Sequence, residues 1–456
     1  MKKAIFSTEI SILKTTFQRL LRRKAHANLT KILLKTHQAD VALIMRTFSA
    51  SDQRTIFSLC PTPLHKSRVI EELDSPLIEN VLQNESPGSI AKICRVLDTN
   101  DQAVVISALD DEKKEAVLGK LNAEDQEEVE ELLSYPDESA GSIMTKETFT
   151  LNQKTTVEES IDRLREFPEN DKIFYLYVLD DKEKLVGVIS LRTLVTSNKN
   201  KRLKDIMITS INAATTETDQ EEVAKMVAQY NYLALPVVNR QNKFLGIVTI
   251  DDVVDVIREE ASEDILQMAG VGKDREILLK KTSESAYMRA PWILASLLGG
   301  ICAAWIISIF DFMLQELVVL AAFIPVIIGV SGNIGMQSST IVVRGLATGR
   351  VDFSNASSVI KKEVGVGFLL GILYGLAVGG FSYWITGEAV QGIAIVVGIS
   401  ILSGMVVAAG IGAIVPIFLK KFGYDPAIST GPFVTTAVDI IGVTIYFLVA
   451  SRVLSI

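Results

Sequence analysis

Five apolar segments crowd the C-terminal part of the chain, at residues 291–310, 317–343, 364–387, 389–419 and 427–451, and nothing else limits its fold so strongly. A helix that spans a bilayer needs about 20 predominantly apolar residues, and each segment supplies them. In hydrocarbon every backbone N–H and C=O must be satisfied within the span, which selects helices. Only the fifth segment, "GPFVTTAVDIIGVTIYFLVA", holds a charged residue, Asp439. The mean hydropathy of +0.30 therefore averages unlike parts. Residues 1–40 carry nine Lys/Arg against two acids, residues 41–290 a net charge near −15, and residues 291–456 seven of each sign. The chain reads as a basic tail, an acidic soluble part and a membrane part.

Charge beside the spans sets a direction. Lys280, Lys281 and Arg289 precede the first span; Arg344, Arg350, Lys361 and Lys362 separate the second from the third; Lys420 and Lys421 separate the fourth from the fifth. The opposite loops offer Asp311, Glu316 and Glu388 and no base. The positive-inside rule then predicts a multi-pass protein of the inner (plasma) membrane, with a cytoplasmic N-terminus and the C-terminus outside. Gly367, Gly371, Gly375 and Gly379 recur four residues apart, as do Gly404, Ala408 and Gly412, so each set lies on one helix face and lets helices approach closely in lipid.

An ionised Asp at the bilayer centre costs about 2.5–3.5 kcal/mol on insertion scales, so Asp439 is expected to face protein or water. Thr435, Thr436 and Gly442 extend a polar and small stripe beside it, and Pro432 suits the first turn of its helix. The second span offers a matching stripe, Asn333 and Gln337 one turn apart, amid Pro325, Gly329, Gly332 and Gly335, where the helix is expected to open and free carbonyl oxygens. No span contains a Lys or Arg to neutralise the acid. A cation is the natural partner, and a hydrated divalent ion is favoured if two copies of the chain place two carboxylates across a shared axis. The other reading is a protonated Asp bonded to a neighbouring helix.

Residues 30–133 read as short helices. The dipeptide Asp-Gln recurs at Asp52, Asp101 and Asp125, each after a capping-type residue, Ser49, Thr99 or Asn122, which predicts a stack of helical hairpins. The basic segment before it, residues 10–35, is expected to be a solvated helix, with attachment to an anionic membrane surface as the alternative. It lacks the apolar region and cleavage site of a signal peptide.

From residue 143 the pattern changes. "LYVLDDKEKLVGVISLRTLV" and "LPVVNRQNKFLGIVTIDDVV", residues 176–195 and 235–254, align without gaps at an offset of 59, and each unit is preceded by "IMT" or "IMIT". Two strand-turn-strand-helix units in tandem resemble a pair of CBS domains, a regulatory module that often holds adenosine nucleotides. The Ser/Thr-x-x-Asp element that binds ribose or phosphate in that family is present once, as Thr249 and Asp252; the first unit reads Ser190 to Thr193 and lacks the acid. That provides for one nucleotide site, with ATP as a candidate. In the following "DDVVDVIREEASED", Asp251, Asp255, Glu259 and Glu263 make one i,i+4 row, and Asp252, Glu260 and Asp264 lie along a second. Like charges at this spacing destabilise a helix. Bridging divalent cations would compensate, and beside a membrane part with a buried acid that reading is preferred to a plain solvated face.

Three scattered cysteines and three histidines build neither a disulfide framework nor a zinc site. No P-loop lysine pattern and no nucleophile constellation is present, so no enzyme is expected, nor a nucleic-acid partner.

The order of these parts, with "YPDESAGSIMT", "TDQEEVA", "ALPVV", "GIVTIDDVVDVI", "EASEDI", "SGNIGMQSST" and "DPAISTGPFVTTAVD", resembles the MgtE family of magnesium channels from about His37 to the C-terminus. The resemblance implies a multidomain chain: a basic extension (1–36), an all-α helical-repeat N domain (37–134), two α/β CBS units (135–200 and 201–264), a connecting "plug" helix (265–288) and a five-helix transmembrane domain (289–456). It implies a homodimer in membrane lipid whose second and fifth spans line a Mg2+ pore, with one Asp439 carboxylate from each subunit. It further implies closure by cytoplasmic Mg2+ at sensor positions matched by Glu221, Asp252, Asp255 and Asp264, with Asp425 near the gate. The chain departs from the family at Asn100, Val104 and Asn231, where acids are frequent. Two other readings stay open: an ion-coupled transporter of divalent metals such as Mg2+, Mn2+ or Co2+, and a membrane-tethered nucleotide sensor without transport.

Overall fold

The computed structural model describes residues 2–167, 173–272, 280–387, 392–429 and 431–455. The chain divides into two compact units, Met1–Arg258 and Glu259–Ile456.

The first unit begins with α1 (Lys2–Arg22) and α2 (His26–Leu33), followed by eight short helices: α3 (Gln38–Met45), α4 (Ala50–Ser58), α5 (Pro63–Ile70), α6 (Ser75–Leu82), α7 (Pro87–Cys94), α8 (Thr99–Ser107), α9 (Asp111–Leu118) and α10 (Ala123–Ser134). From α5 onward their N-caps are Thr62, Asp74, Ser86, Asp98, Asp110 and Asn122, one every twelve residues. Ser49 and Asn122 cap as their spacing predicts, each accepting from the backbone N–H three residues on. Thr99 does not; it is the first helical residue, and Asp98 stands at the cap. Helices of eight to twelve residues are too short to persist alone. Each packs on the helix two along in sequence, α3 on α5, α4 on α6, α6 on α8 and so on, which gives a two-layer stack with a continuous apolar core.

The N-terminal segment departs from the free, solvated helix expected of it. Phe17, Leu29 and Leu33 are fully buried in that same core, and Ile10, Leu13, Leu20 and Leu21 pack against it. Basic residues Arg19, Arg22, Arg23 and Lys24 stay exposed, so α1 is amphipathic and its apolar face covers the end of the stack.

After the small helix α11 (Ala140–Ile143), two similar modules follow. The first holds β1 (Thr150–Asn152), α12 (Val157–Glu166), β2 (Tyr175–Leu179), β3 (Leu185–Ser190) and α13 (Leu191–Thr196). The second holds β4 (Ala214–Thr215), α14 (Gln220–Tyr230), β5 (Ala234–Val238), β6 (Phe244–Thr249) and α15 (Ile250–Met268). In each sheet the first strand runs parallel to the second, and the third returns antiparallel. The offset of 59 recurs in the pairing: Val178 faces Gly187, and Val237 faces Gly246.

Sequence order does not reveal that the "IMT" segments cross over. Thr145 bridges to Ile247 of the second module, whereas Ile208 bridges to Val188 of the first. The two glycines make room for this exchange. A Cβ on Gly187 would stand 2.2 Å from Met207 Sδ, and one on Gly246 2.5 Å from the Thr145 carbonyl oxygen.

In the second unit, α16 (Thr282–Ile309), α18 (Val319–Ala347), α19 (Ala356–Thr386), α20 (Ile393–Lys421) and α21 (Pro432–Leu454) are the helices long and apolar enough to cross a membrane among the described residues. A short α17 (Asp311–Glu316) joins the first two. The expected connecting helix over residues 265–288 includes 273–279, outside the described residues; its ends belong to α15 and α16. Residues 389–391, assigned to the fourth span, also lie outside them. α20 is central and packs on α18, α19 and α21, while α16 packs on α21. The Gly367–Gly379 row of α19 meets α20 backbone to backbone: Cβ atoms on Gly367 and Gly375 would stand 2.7 Å from the carbonyl oxygens of Met405 and Gly398. Leu297, Trp305, Leu376 and Trp384 face outward, as a lipid-embedded bundle requires.

α18 corrects one expectation. It runs unbroken past Pro325, Gly329, Gly332 and Gly335, with no opened stretch. Gly335 serves packing instead, since it receives Val438 and Val434 of α21 within 3.1 and 3.3 Å of its missing Cβ.

Candidate ion pathway and cation-responsive acids

Pro432 stands in the first turn of α21, so the helix carrying Asp439 starts where its sequence predicts. Asp439 lies two turns further in, half-buried. Its Oδ1 comes within 3.8 Å of where a Gly332 Cβ would stand, so the carboxylate lies against the α18 backbone at a point cleared of side chain. Next in sequence is Asn333. With Met336, Gln337 and Thr340 it forms an exposed face of α18, while Ser331, Ile334, Gly335, Ser338 and Ser339 are buried on the other side. Asn333 and Gln337 are therefore on one face, as their spacing predicts.

The threonines are divided. Thr435 donates to the Gly431 and Pro432 carbonyls of its own helix. Thr436 is turned onto α16, its Cγ2 1.9 Å from where a Gly299 Cβ would stand. Among the described residues Asp439 has no hydrogen-bonding or ion-pairing partner, which leaves its oxygens available to an incoming ligand.

The start of α21 also receives the segment that follows α15. Gly270, at φ +69°, lies so close that a Cβ would be 3.0 Å from Pro432 Cδ, and the missing Gly431 Cβ is 3.4 Å from the Met268 carbonyl oxygen. Asp425 accepts from the Ala427 N–H at 2.8 Å and so shapes the turn before α21.

The acids expected to respond to cytoplasmic cations lie in different surroundings. Glu221 pairs with Lys225 on α14 at 2.7 Å. Asp252 accepts from Asn100 Nδ2 at 2.9 Å, and the buried Thr249 hydroxyl lies 2.5 Å from a carboxylate oxygen of each of Asp251 and Asp252. Asp255 faces Arg258 at 3.3 Å. On α15, Glu260 and Asp264 are half-buried, and Glu263 is buried and accepts from Gln267 at 2.7 Å. Among the described residues no three Asp, Glu, His or Cys side chains gather closely enough to enclose a metal ion within one chain.

Glu147 escapes a reading by motif. Its carboxylate receives the backbone N–H of Thr99 at 3.2 Å and the Thr99 hydroxyl at 2.7 Å, so it caps α8 from outside the helix, and Thr145 adds a third bond. A carboxylate is favoured there because the first turn of a helix presents unpaired N–H groups. Nearby, Lys146 pairs with Glu131 of α10.

A bundle of five membrane-crossing helices, joined to a helical stack and a pair of CBS modules, defines a multi-pass membrane protein. Comparison with known proteins makes the assignment specific. Family models match as divalent cation transporter over residues 324–449, MgtE intracellular N domain over 36–138, and CBS domain over 140–198 and 203–259. The magnesium transporter MgtE of Bacillus subtilis (strain 168) is 36% identical over 356 residues, 78% of each chain. That of Thermus thermophilus is 36% identical over 72% of each. The crystal structure of the cytosolic domain of the Mg2+ channel MgtE in complex with ATP is similar at a TM-score of 0.50 and 30% identity, covering 53% of this chain and 99% of that one. The chain belongs to the MgtE family of magnesium transporters.

Proposed function

We propose that this protein is a Mg2+-selective channel of the inner membrane that admits magnesium and is closed by cytoplasmic Mg2+. The observation that carries the reading is Asp439 against Gly332 of α18, partnerless among the described residues, on a helix that also exposes the amides of Asn333 and Gln337. A negative group at that depth is retained where a cation or water meets it. Mg2+ demands octahedral oxygen coordination and gives up its waters reluctantly. Two Asp439 carboxylates, one from each subunit of a homodimer, hold the hydrated ion, and Asn333, Gln337, Thr435 and Thr436 order its water shell or the helix around it. The base-rich loops face the cytoplasm and the C-terminus lies outside.

Closure uses the acids. Cytoplasmic Mg2+ neutralises the acids Glu221, Asp252, Asp255, Glu260, Glu263, Asp264 and Asp425, and so favours the shut arrangement. The contact of Gly270 with Pro432 carries that state to α21. A nucleotide such as ATP, held by the CBS pair through Thr249 and Asp252, exchanges their present bonds for its own and thereby biases the same equilibrium.

The test is Mg2+ flux into proteoliposomes holding the full chain. Asp439→Ala is expected to abolish flux while leaving the protein folded and dimeric; undiminished flux overturns the reading. Single-channel currents separate a channel from an ion-coupled transporter, which gives none.

A further inference from the structure

Glu363 is a buried carboxylate that the pathway described above does not use. It lies eight residues into α19, is 4% exposed, and follows directly on the exposed Lys361 and Lys362. Capping does not account for it, because the helix-terminus field is confined to the first turn. Its position does. Glu363, Gly367, Gly371, Gly375 and Gly379 are the buried row of α19, four residues apart. Four members of that row are bare so that α20 can close on them. The fifth carries a long side chain past α20 to α18, where the fully buried Ser338 hydroxyl donates to Glu363 Oε2 at 2.9 Å. At the same level α20 touches α18, for a Cβ on Gly412 would stand 2.2 Å from the Gly335 carbonyl oxygen and 3.2 Å from Ser338 Cβ.

We propose that Glu363 is a positioning residue for the ion pathway: by holding Ser338 it fixes the rotation of α18 about its axis, and with it the direction in which Asn333 and Gln337 point. Ser338 follows Gln337, and successive helical residues are about 100° apart, so an inward Ser338 keeps Gln337 on the open face. Both α18 and α19 pack chiefly on α20, and their direct contact is slight, so a polar tie between them has leverage. Burying a carboxyl without a partner is unfavourable, so each member of the tie holds the other in place.

The inference rests on the pathway reading, and two measurements keep them apart. The first is flux of Mg2+ and Ca2+ into proteoliposomes of the full chain. Ser338→Ala and Glu363→Ala are each expected to lower Mg2+ flux about tenfold, roughly one buried hydrogen bond, and to lower the Mg2+/Ca2+ ratio. The double variant is no worse than either single one, and Glu363→Gln, whose amide oxygen still accepts from Ser338, is close to wild type. Wild-type flux and ion ratio in Ser338→Ala, or additive losses in the double variant, overturn the proposal. The second is the reactivity of single cysteines at positions 333, 336, 337 and 340 toward a water-soluble thiol reagent. In the unaltered background these are expected to react in preference to 334, 335 and 338, and in Ser338→Ala the reactive set shifts around the helix. An unshifted set overturns the tie even if Asp439→Ala transports normally, an outcome that by itself defeats only the pathway reading.

Discussion

Asn100 donates its side-chain amide to the Asp252 carboxylate across 2.9 Å, tying α8 of the helical stack to α15 of the second CBS module. Asn100 is 6% exposed, so the bond is shielded from water. A neutral donor fastens an acid here without any cation. Replacing the amide by a carboxylate places two negative groups at that distance. Asn100→Asp is therefore expected to loosen this seam by about 1–3 kcal/mol in the absence of divalent ions and to restore it on Mg2+ addition. Protease sensitivity of the full chain across a Mg2+ titration measures this; equal responses of variant and wild type contradict it.

A second prediction concerns the contact of Gly270 with Pro432. An Ala at a left-handed φ costs about 1–2 kcal/mol, and its Cβ would press on Pro432 Cδ at 3.0 Å. On the proposed closure by Mg2+, Gly270→Ala is expected to shift the half-closing concentration about fivefold or more. Gly300→Ala, where nothing lies within 4 Å of the added atom, is the matched control and leaves it unchanged. Proteoliposome flux at graded internal Mg2+ reads both.

The packing of α19 on α20 predicts stability. Gly375→Ala drives a Cβ to within 2.7 Å of the Gly398 carbonyl oxygen and is expected to lower the melting temperature in detergent by several degrees, about what 1–3 kcal/mol of overpacking produces. Gly365→Ala meets nothing within 4 Å and is expected to be neutral or to raise it slightly, since Ala is the better helix former.

A pH effect follows from Glu131. Burial raises its carboxyl pKa, but the hydrogen bonds from Lys146 and Tyr135 more than reverse this and hold it below the ordinary carboxylate range. A folded pKa that is depressed contributes stability above the unfolded value, about 4.3, and that contribution fades as pH falls through the folded one. Hydrogen exchange of α10 is expected to quicken as the solution is acidified toward that range, and the change to shrink in Lys146→Met.

What could be read from the chain follows the range of each signal. The spans were legible because long apolar runs have few other uses, and the paired modules because their offset of 59 survives in the strand register. Asn333 and Gln337 share a face because 3.6-residue periodicity needs only local sequence. The misses are non-local. The exchange of the "IMT" segments depends on Met207 and Thr145 meeting glycines of the opposite module, and the burial of Phe17 depends on a stack it helps to close. Thr436 turns to α16 because Gly299 leaves space for it, which α21 alone does not reveal. Glu363 stands one residue before the apolar run of its span, and only its place at the head of the glycine row marks it as buried.

The backbone contact of α19 with α20 has a mechanical consequence. Gly367, Gly371, Gly375 and Gly379 let α19 rest on the carbonyls of α20, so neither helix can turn without displacing those carbonyls from their seats. The pair must travel as one plank. α18 is keyed to the same plank, since a Cβ on Gly412 of α20 would stand 2.2 Å from the Gly335 carbonyl oxygen, so α18, α19 and α20 share one rigid seam.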